Sequence, residues 1–353
     1  MNSESSVPPG PDGVPHRRRV RYSGKNPRRF DQKYKELDPT RDPATFAKVV
    51  ASGKTPAGSH IPIMVSEIVG ILRLQPGDIV VDATLGHGGH TRELLAAVQP
   101  GGRLIATDQD PVELPRTEAR LRDLVAERGW PDDSLAIHRS NFAGLPKILA
   151  AAGHYDGVDG LLADLGCSSM QFDNPTRGFS FKNDGPLDMR MNPQRGQPAR
   201  AWLASVSPEA LARVLEENAD EPEAGALAAV LAGRDFPTTT ALVNAIRRRL
   251  TDPEEAEACT RRVFQAVRIA VNDEFSALDN LLRVLPACVK SGGRIAMLSF
   301  HSGEDRRVKH AFAAGQRDGL YAAVTEELLR PSAEERRANP RASSARLRWA
   351  VRA

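Results

Sequence analysis

Short apolar runs alternating with helix-patterned stretches constrain this chain more than any other feature. Ile79-Val80-Val81-Asp82, Arg103 to Asp108, Ser134 to His138 and Val158 to Asp164 are each the length of a buried strand. Between them lie segments with helical spacing. One carries Leu94 and Leu95, and a charged one runs from Val112 to Arg128. An amphipathic helix, with Ile68, Val69, Ile71 and Leu72, is expected ahead of the first strand, and Pro76-Gly77-Asp78 and Gly101-Gly102 are turn signals. Strands covered on both faces read as continuous apolar runs, and strand–helix–strand units pair in parallel. The pattern predicts an α/β fold with a doubly wound, mostly parallel sheet.

The rhythm stops after Cys167. From there to about Thr260 no strand-like run occurs, only loop motifs and helices. Ser207-Pro208 is a cap followed by a first-turn proline, with Leu211, Val214 and Leu215 behind it. Thr238-Thr239-Thr240 caps a second helix bearing Leu242, Val243, Ile246 and Leu250 beside Arg247-Arg248-Arg249. These predict a helical domain, residues 169–260, inserted into a core made of 56–168 and 261–353. The core is expected to resume with one long helix from Val263 to Leu285. The strand Arg294 to Phe300 and a last strand, Leu347 to Val351, follow.

Composition limits the classes further. Hydrophobic residues make up 41% of the 353, enough for a sizeable core. A net charge of +3 permits a nucleic-acid partner without demanding one. Cys167, Cys259 and Cys288 form no CxxC pair, which suits a reducing compartment. No apolar run approaches the roughly 18–20 residues a membrane span requires, and the polar first residues lack a signal sequence, so a cytoplasmic location is expected. Residues 1–55 are rich in Pro, Ser, Gly and Arg. They are expected to form a basic, disordered extension. Its His16-Arg17-Arg18-Arg19 and Pro27-Arg28-Arg29, interleaved with Tyr22, Phe30 and Tyr34, also suit an arm on RNA phosphates.

In a doubly wound sheet, ligands bind where the carboxyl ends of the strands meet the loops. Asp82, Asp108 and Asp164 fall at such ends. Asp82 leads into Gly86-His87-Gly88-Gly89-His90-Thr91, a loop whose glycines allow a tight turn before a helix N-terminus. Thr91 takes the place of the third glycine of a dinucleotide loop, so the loop alone is a weak signal. Asp108, about twenty residues on, is placed to accept both hydroxyls of an adenosine ribose. NAD and S-adenosylmethionine share that need. The acidic surroundings, and the lack of a phosphate-binding Arg or Lys after the loop, favour the latter. Asp82 and Asp164 suit an amino or sulfonium group, although Asp82 is equally suited to capping its own loop. Phe142 is a candidate to lie along the adenine. His87 and His90 have no third or fourth partner of metal-ligand spacing.

The segments after Asp164 are more particular. Asp164-Leu165-Gly166-Cys167-Ser168-Ser169-Met170-Gln171, Arg177-Gly178-Phe179-Ser180-Phe181 and Asp184-Gly185-Pro186-Leu187-Asp188-Met189-Arg190-Met191 are followed by Phe264-Gln265-Ala266-Val267-Arg268-Ile269-Ala270-Val271-Asn272 and Ser299-Phe300-His301-Ser302. Together they closely resemble the bacterial ribosomal RNA small-subunit methyltransferase H family, also called MraW. The resemblance runs from His60-Ile61-Pro62 to Leu347-Arg348 and leaves out only the N-terminal extension. It implies a Rossmann-like class I methyltransferase core with an inserted helical domain. The implied activity is S-adenosylmethionine-dependent methylation of N4 of a cytidine in the decoding region of 16S rRNA, with the small ribosomal subunit as partner. It also implies cofactor contacts at Gly88, Gly89, His90, Asp108, Phe142, Asp164 and Gln171. Four positions depart from the pattern. Cys167 stands for valine, Gly303 for leucine, Ala219-Asp220 for a Gly-Glu pair and Ser343 for arginine.

Cytosine N4 is a poor nucleophile because its lone pair is delocalised. Its methylation needs in-line geometry, desolvation and acceptors for the amine protons. Asp164 is the candidate catalytic acceptor, with cofactor positioning alone as its competing role. A Cys167 thiolate attacking C5 is the alternative chemistry. Arg177, Arg190, Arg268, His301 and Arg306 are candidate RNA contacts, with Arg247-Arg248-Arg249, Arg261 and Arg262 near them. Phe179 or Phe181 would stack on a splayed base. The competing functions are amino-methylation of another RNA or of DNA, and a cofactor-binding assembly factor without catalysis.

Overall fold

The computed structural model describes residues 62–250 and 252–353. The basic extension, residues 1–55, lies outside the described residues. The strands are β1 (Ile79–Asp82), β2 (Arg103–Asp108), β3 (Leu135–Arg139), β4 (Val158–Asp164), β5 (Val289–Ser299), β6 (Tyr321–Val324) and β7 (Arg346–Arg352). They form one seven-stranded sheet in the order β3-β2-β1-β4-β5-β7-β6. β7 is antiparallel to both of its neighbours, and the other pairs are parallel. The doubly wound, Rossmann-like sheet expected from the apolar runs is present. β6 is an addition: Tyr-Ala-Ala-Val has little strand signal of its own. Pairing with β7 and the stacking of Tyr321 on Phe312, ring centres 5.4 Å apart, make it a strand.

Helices α1 (Val65–Leu72), α2 (Gly89–Val98) and α3 (Leu114–Glu127) cover one face of the sheet. They bury Ile68, Leu94, Leu95, Val98, Leu121 and Val125 against Val80, Leu104 and Leu162. α4 (Leu145–Ala151) lies on the other face, and α5 (Ser169–Asp173) is a single short turn after β4. A helical layer follows, made of α6 (Ala199–Ser205), α7 (Pro208–Ala219), α8 (Ala224–Leu231), α9 (Thr239–Arg247) and α10 (Pro253–Asn272). Its own core holds Leu203, Leu211, Leu215, Leu227, Leu242 and Val263. The predicted caps are in place. Ser207 Oγ accepts from the Ala210 amide at 3.2 Å, and Thr238 Oγ1 accepts from Ala241 at 3.2 Å.

Two boundaries differ from expectation. The long helix expected from Val263 to Leu285 is two helices, α10 and α11 (Glu274–Cys288), separated by Asp273 in the left-handed region at φ 51°. α10 buries Val263, Phe264 and Val267 in the helical layer, whereas α11 buries Leu278, Leu281 and Leu285 against the sheet. A straight helix cannot serve both cores. For the same reason residue 260 falls inside α10 and not at a break. α12 (Ser302–Arg317) and α13 (Ala333–Ala338) complete the fold, with Val308 and Phe312 of α12 beside α11.

Candidate functional site

The strand order reverses between β1 and β4. Asp82, Asp108 and Asp164 end β1, β2 and β4 around that crevice. Asp82 is fully buried. It accepts from Thr91 Oγ1 at 2.6 Å and from the Thr84 amide at 3.1 Å, tying the loop to its helix. Burial pushes its carboxyl above the ordinary range. It does not line the cavity formed by its neighbours, and its two hydrogen bonds cap the loop. Gly88 takes φ 80° as the residue capping α2, and a Cβ there would sit 3.0 Å from Thr117 Cγ2 of α3. Gly88 therefore allows the turn and the packing on α3 without facing the cavity. Gly89 faces it, and Arg92, just after the loop, pairs with Glu93 at the surface.

The cavity encloses about 590 Å³. On one side stand Asp108, Asn141 and Phe142. Asp108 Oδ2 accepts from the Gly86 amide at 2.8 Å, and Oδ1 accepts from Asp110 at 2.9 Å. Burial pushes the Asp108 carboxyl up to about 6 against the pull of those two amides. Each oxygen keeps a lone pair for a further donor. Asn141 Oδ1 accepts from the Ala143 amide at 2.9 Å, which tightens the turn that carries Phe142 to the wall.

At the centre lies Asp164, partly buried beside the buried His90. Its Oδ2 is 3.5 Å from His90 Nδ1, while its Oδ1 is buried with no hydrogen-bond partner. Burial raises the Asp164 carboxyl to about 6, with Asp82 and Glu304 pushing the same way and His90 opposing. His90 Nε2 lies 2.9 Å from the Ile63 carbonyl. Beyond them, Phe181 meets Phe264 edge-on at 5.2 Å, with Lys182 and Arg261 at the rim. Phe179 is buried under Phe172.

The arginines expected to meet RNA are placed differently. Arg177 is 7% exposed. Its Nη1 donates to Asp110 Oδ2 at 2.9 Å, and its Nη2 donates to the Arg190 and Met191 carbonyls at 3.0 and 2.9 Å. Arg268 is equally buried, donating to both Glu274 oxygens at 2.8 and 3.0 Å and to Cys167 Sγ at 3.1 Å. Both are internal clamps and not phosphate contacts, because a buried guanidinium requires a carboxylate within reach. Arg190 is held by Asp188 at 2.7 Å. His301 caps α12, its Nδ1 accepting from the Glu304 amide at 3.4 Å, and so belongs to the wall and not the surface. Arg306 remains half-exposed, paired with Asp220 at 2.9 Å.

Two buried acids escaped the sequence reading. Asp110 gathers Arg177 and the Gln171 amide, whose Nε2 donates at 2.8 Å. Gln171 is thereby a brace for the cavity floor as well as part of its lining. The Asp108-Gln109-Asp110 spacing was the available signal. Glu304 accepts from the Phe300 amide at 2.9 Å, and although burial opposes ionisation, His301 and Arg268 hold it below the usual range. Its signal was the His301-Ser302-Gly303-Glu304 helix start. Among the described residues no three His, Cys, Asp or Glu side chains cluster as metal ligands, and no helix is long and apolar enough to cross a membrane.

Comparison with known proteins identifies the family. The model of the MraW methylase family matches residues 57–353. Ribosomal RNA small subunit methyltransferase H 2 of Alkaliphilus metalliredigens is 47% identical over 95% of this chain and 97% of its own length. Ribosomal RNA small subunit methyltransferase H 1 of Agathobacter rectalis is 46% identical over 96% of this chain and 98% of its own. The Halorhodospira halophila methyltransferase H is 40% identical over 86% and 97% respectively. With nearly the whole described chain matched at such identity, this protein belongs to the MraW methylase family.

Proposed function

We propose that this protein transfers a methyl group from S-adenosylmethionine to the exocyclic N4 of a cytidine in the decoding region of 16S rRNA, within the small ribosomal subunit. Family membership supports methyl transfer. The observation that carries the chemistry is the buried, unpartnered Oδ1 of Asp164 at the cavity. A buried acceptor without a partner loses about 1–3 kcal/mol, which a donor supplied by substrate would restore.

The residues present fit the cofactor. Asp108 would take the ribose hydroxyls on its free lone pairs, Phe142 and Asn141 would flank the adenine, and the loop at Gly89 and His90 would meet the methionine end. When bound, S-adenosylmethionine supplies an electrophilic methyl group on a sulfonium. Asp164 would then face the amine that receives it, and Gln171 keeps the floor in place through Asp110. Asp164 would accept a proton from N4 on Oδ1 as the nitrogen becomes tetrahedral. Phe181 and Phe264 offer aromatic surface to a splayed base, and Lys182, Arg261 and Arg306 remain exposed enough to reach phosphates. A thiolate route is disfavoured, because burial pushes Cys167 up to about 12.

Mass mapping of modified nucleosides in 16S rRNA from cells lacking the gene tests the assignment. Loss of N4-methylcytidine is expected, and an unchanged level would refute it. Asp164→Ala protein assayed on isolated small subunits separates catalysis from assembly: wild-type rates there would remove Asp164 from the chemistry.

A further inference from the structure

His90 has a second relationship that cofactor contact does not explain. A backbone carbonyl only accepts, so the 2.9 Å approach of Nε2 to the Ile63 oxygen places a hydrogen on Nε2. Nδ1 then turns toward Asp164 Oδ2 at 3.5 Å. With no hydrogen between them, a ring lone pair would face a carboxylate oxygen inside a buried site. We propose that His90 and Asp164 hold one proton jointly, and that this dyad receives the proton leaving N4 during methyl transfer. The proposal rests on the amino-methylation reading given above.

The charged groups facing the pair are few. Asp82 on β1 lies near both residues, and Glu304 on α12 lies near Asp164. Glu304 is already answered by His301 and Arg268. Two further acids near a carboxylate favour retaining a proton there, and burial acts in the same direction. The His90 imidazole meets this carboxylate at one edge, and at the other its ring is fixed by a main-chain acceptor. That arrangement sets the tautomer and the direction of proton movement.

The N4 lone pair forms the bond to the methyl carbon, and the carbon–sulfur pair leaves with sulfur. One N4–H proton moves to Asp164 Oδ1, its bonding pair remaining on nitrogen. The dyad holds one proton before transfer and two after, and the extra one passes to water when the product leaves. Oδ1 is free for this because Oδ2 faces His90 and the Asp164 amide is held separately by Thr84 Oγ1 at 2.6 Å.

Nitrogen NMR of histidine-labelled protein, without cofactor or RNA, tests the dyad directly. His90 should show a protonated Nε2 throughout, with Nδ1 titrating in step with the Asp164 carboxyl carbon. In Asp164→Asn that coupling should vanish while Nε2 stays protonated. A neutral imidazole protonated at Nδ1, or two independent titrations, would overturn the proposal. His90→Gln, checked for folding by circular dichroism, should also lower kcat at least tenfold and move the acid limb of its pH profile upward, because His90 no longer opposes burial at Asp164. A unchanged acid limb would remove His90 from proton transfer. A coupled titration in a protein that fails to methylate small subunits would refute the substrate reading and leave the dyad standing.

Discussion

Replacing Asp164 by asparagine should make this protein more stable at neutral pH while removing its proposed activity. The carboxyl of Asp164 is raised by burial from 3.8 to about 6. Below pH 3.8 the folded and unfolded chains both carry the proton, and burial costs little. Between 3.8 and 6 the unfolded chain ionises first, so stability falls as pH rises. Above about 6 the folded carboxyl ionises too and the loss is complete. At about 1.4 kcal/mol per pH unit that interval corresponds to roughly 3 kcal/mol. The side chain is 19% exposed, so water reaching it through the cavity lowers the expected gain to about 1–3 kcal/mol. Asparagine matches the shape, and its Nδ2 can donate to His90 Nδ1, an arrangement the carboxylate achieves only with an extra proton. Urea unfolding of both proteins at intervals from pH 4 to pH 8 measures the difference. The asparagine variant should gain stability toward neutral pH and show almost none of that gain at pH 4. A difference independent of pH, or a variant less stable at pH 7.5, would refute the argument that ionised Asp164 is strained by burial.

Other consequences follow from named contacts. Arg177→Met should destabilise the fold by about 3–5 kcal/mol in urea, because Asp110 would be left buried without its guanidinium. Asp108→Asn should weaken S-adenosylhomocysteine about 10- to 100-fold in calorimetry, with the melting temperature of the free protein held or raised. Gly303→Leu should lose about 1–3 kcal/mol, since a Cβ at 303 already lies 2.6 Å from Phe275 Cζ. Gly303→Leu combined with Phe275→Ala should recover part of that loss, and strict additivity would show that the two do not share the space. Cys167→Val should keep methyl transfer, and complete inactivity of a folded variant would reopen the thiolate route.

Much of the fold was legible because buried parallel strands need continuous apolar runs. β1, β2 and β4 were marked to the residue, and each ends in an aspartate. The Ser207 and Thr238 caps were legible for a similar reason, since a helix start exposes amides that a nearby hydroxyl can satisfy. Asp273 was not. Nothing in its neighbourhood breaks the helical period, and only the division between two cores requires the chain to turn there. β6 was missed because its stability comes from pairing with β7 and not from its own residues.

The sequence by itself determined the fold class, the family and the three strand-end acids, all of which depend on local pattern or on contiguous motifs. Only the tertiary structure decided what each charged residue does. Arg177 and Arg268 look like RNA contacts in one dimension. In three they are internal clamps on Asp110 and Glu274. Asp82 and Asp164 end adjacent strands alike, yet one is satisfied by its own loop and the other keeps an unpartnered oxygen beside His90. The physical reason is that burial and pairing set the state of a charged group, and both are properties of distant residues brought together by packing.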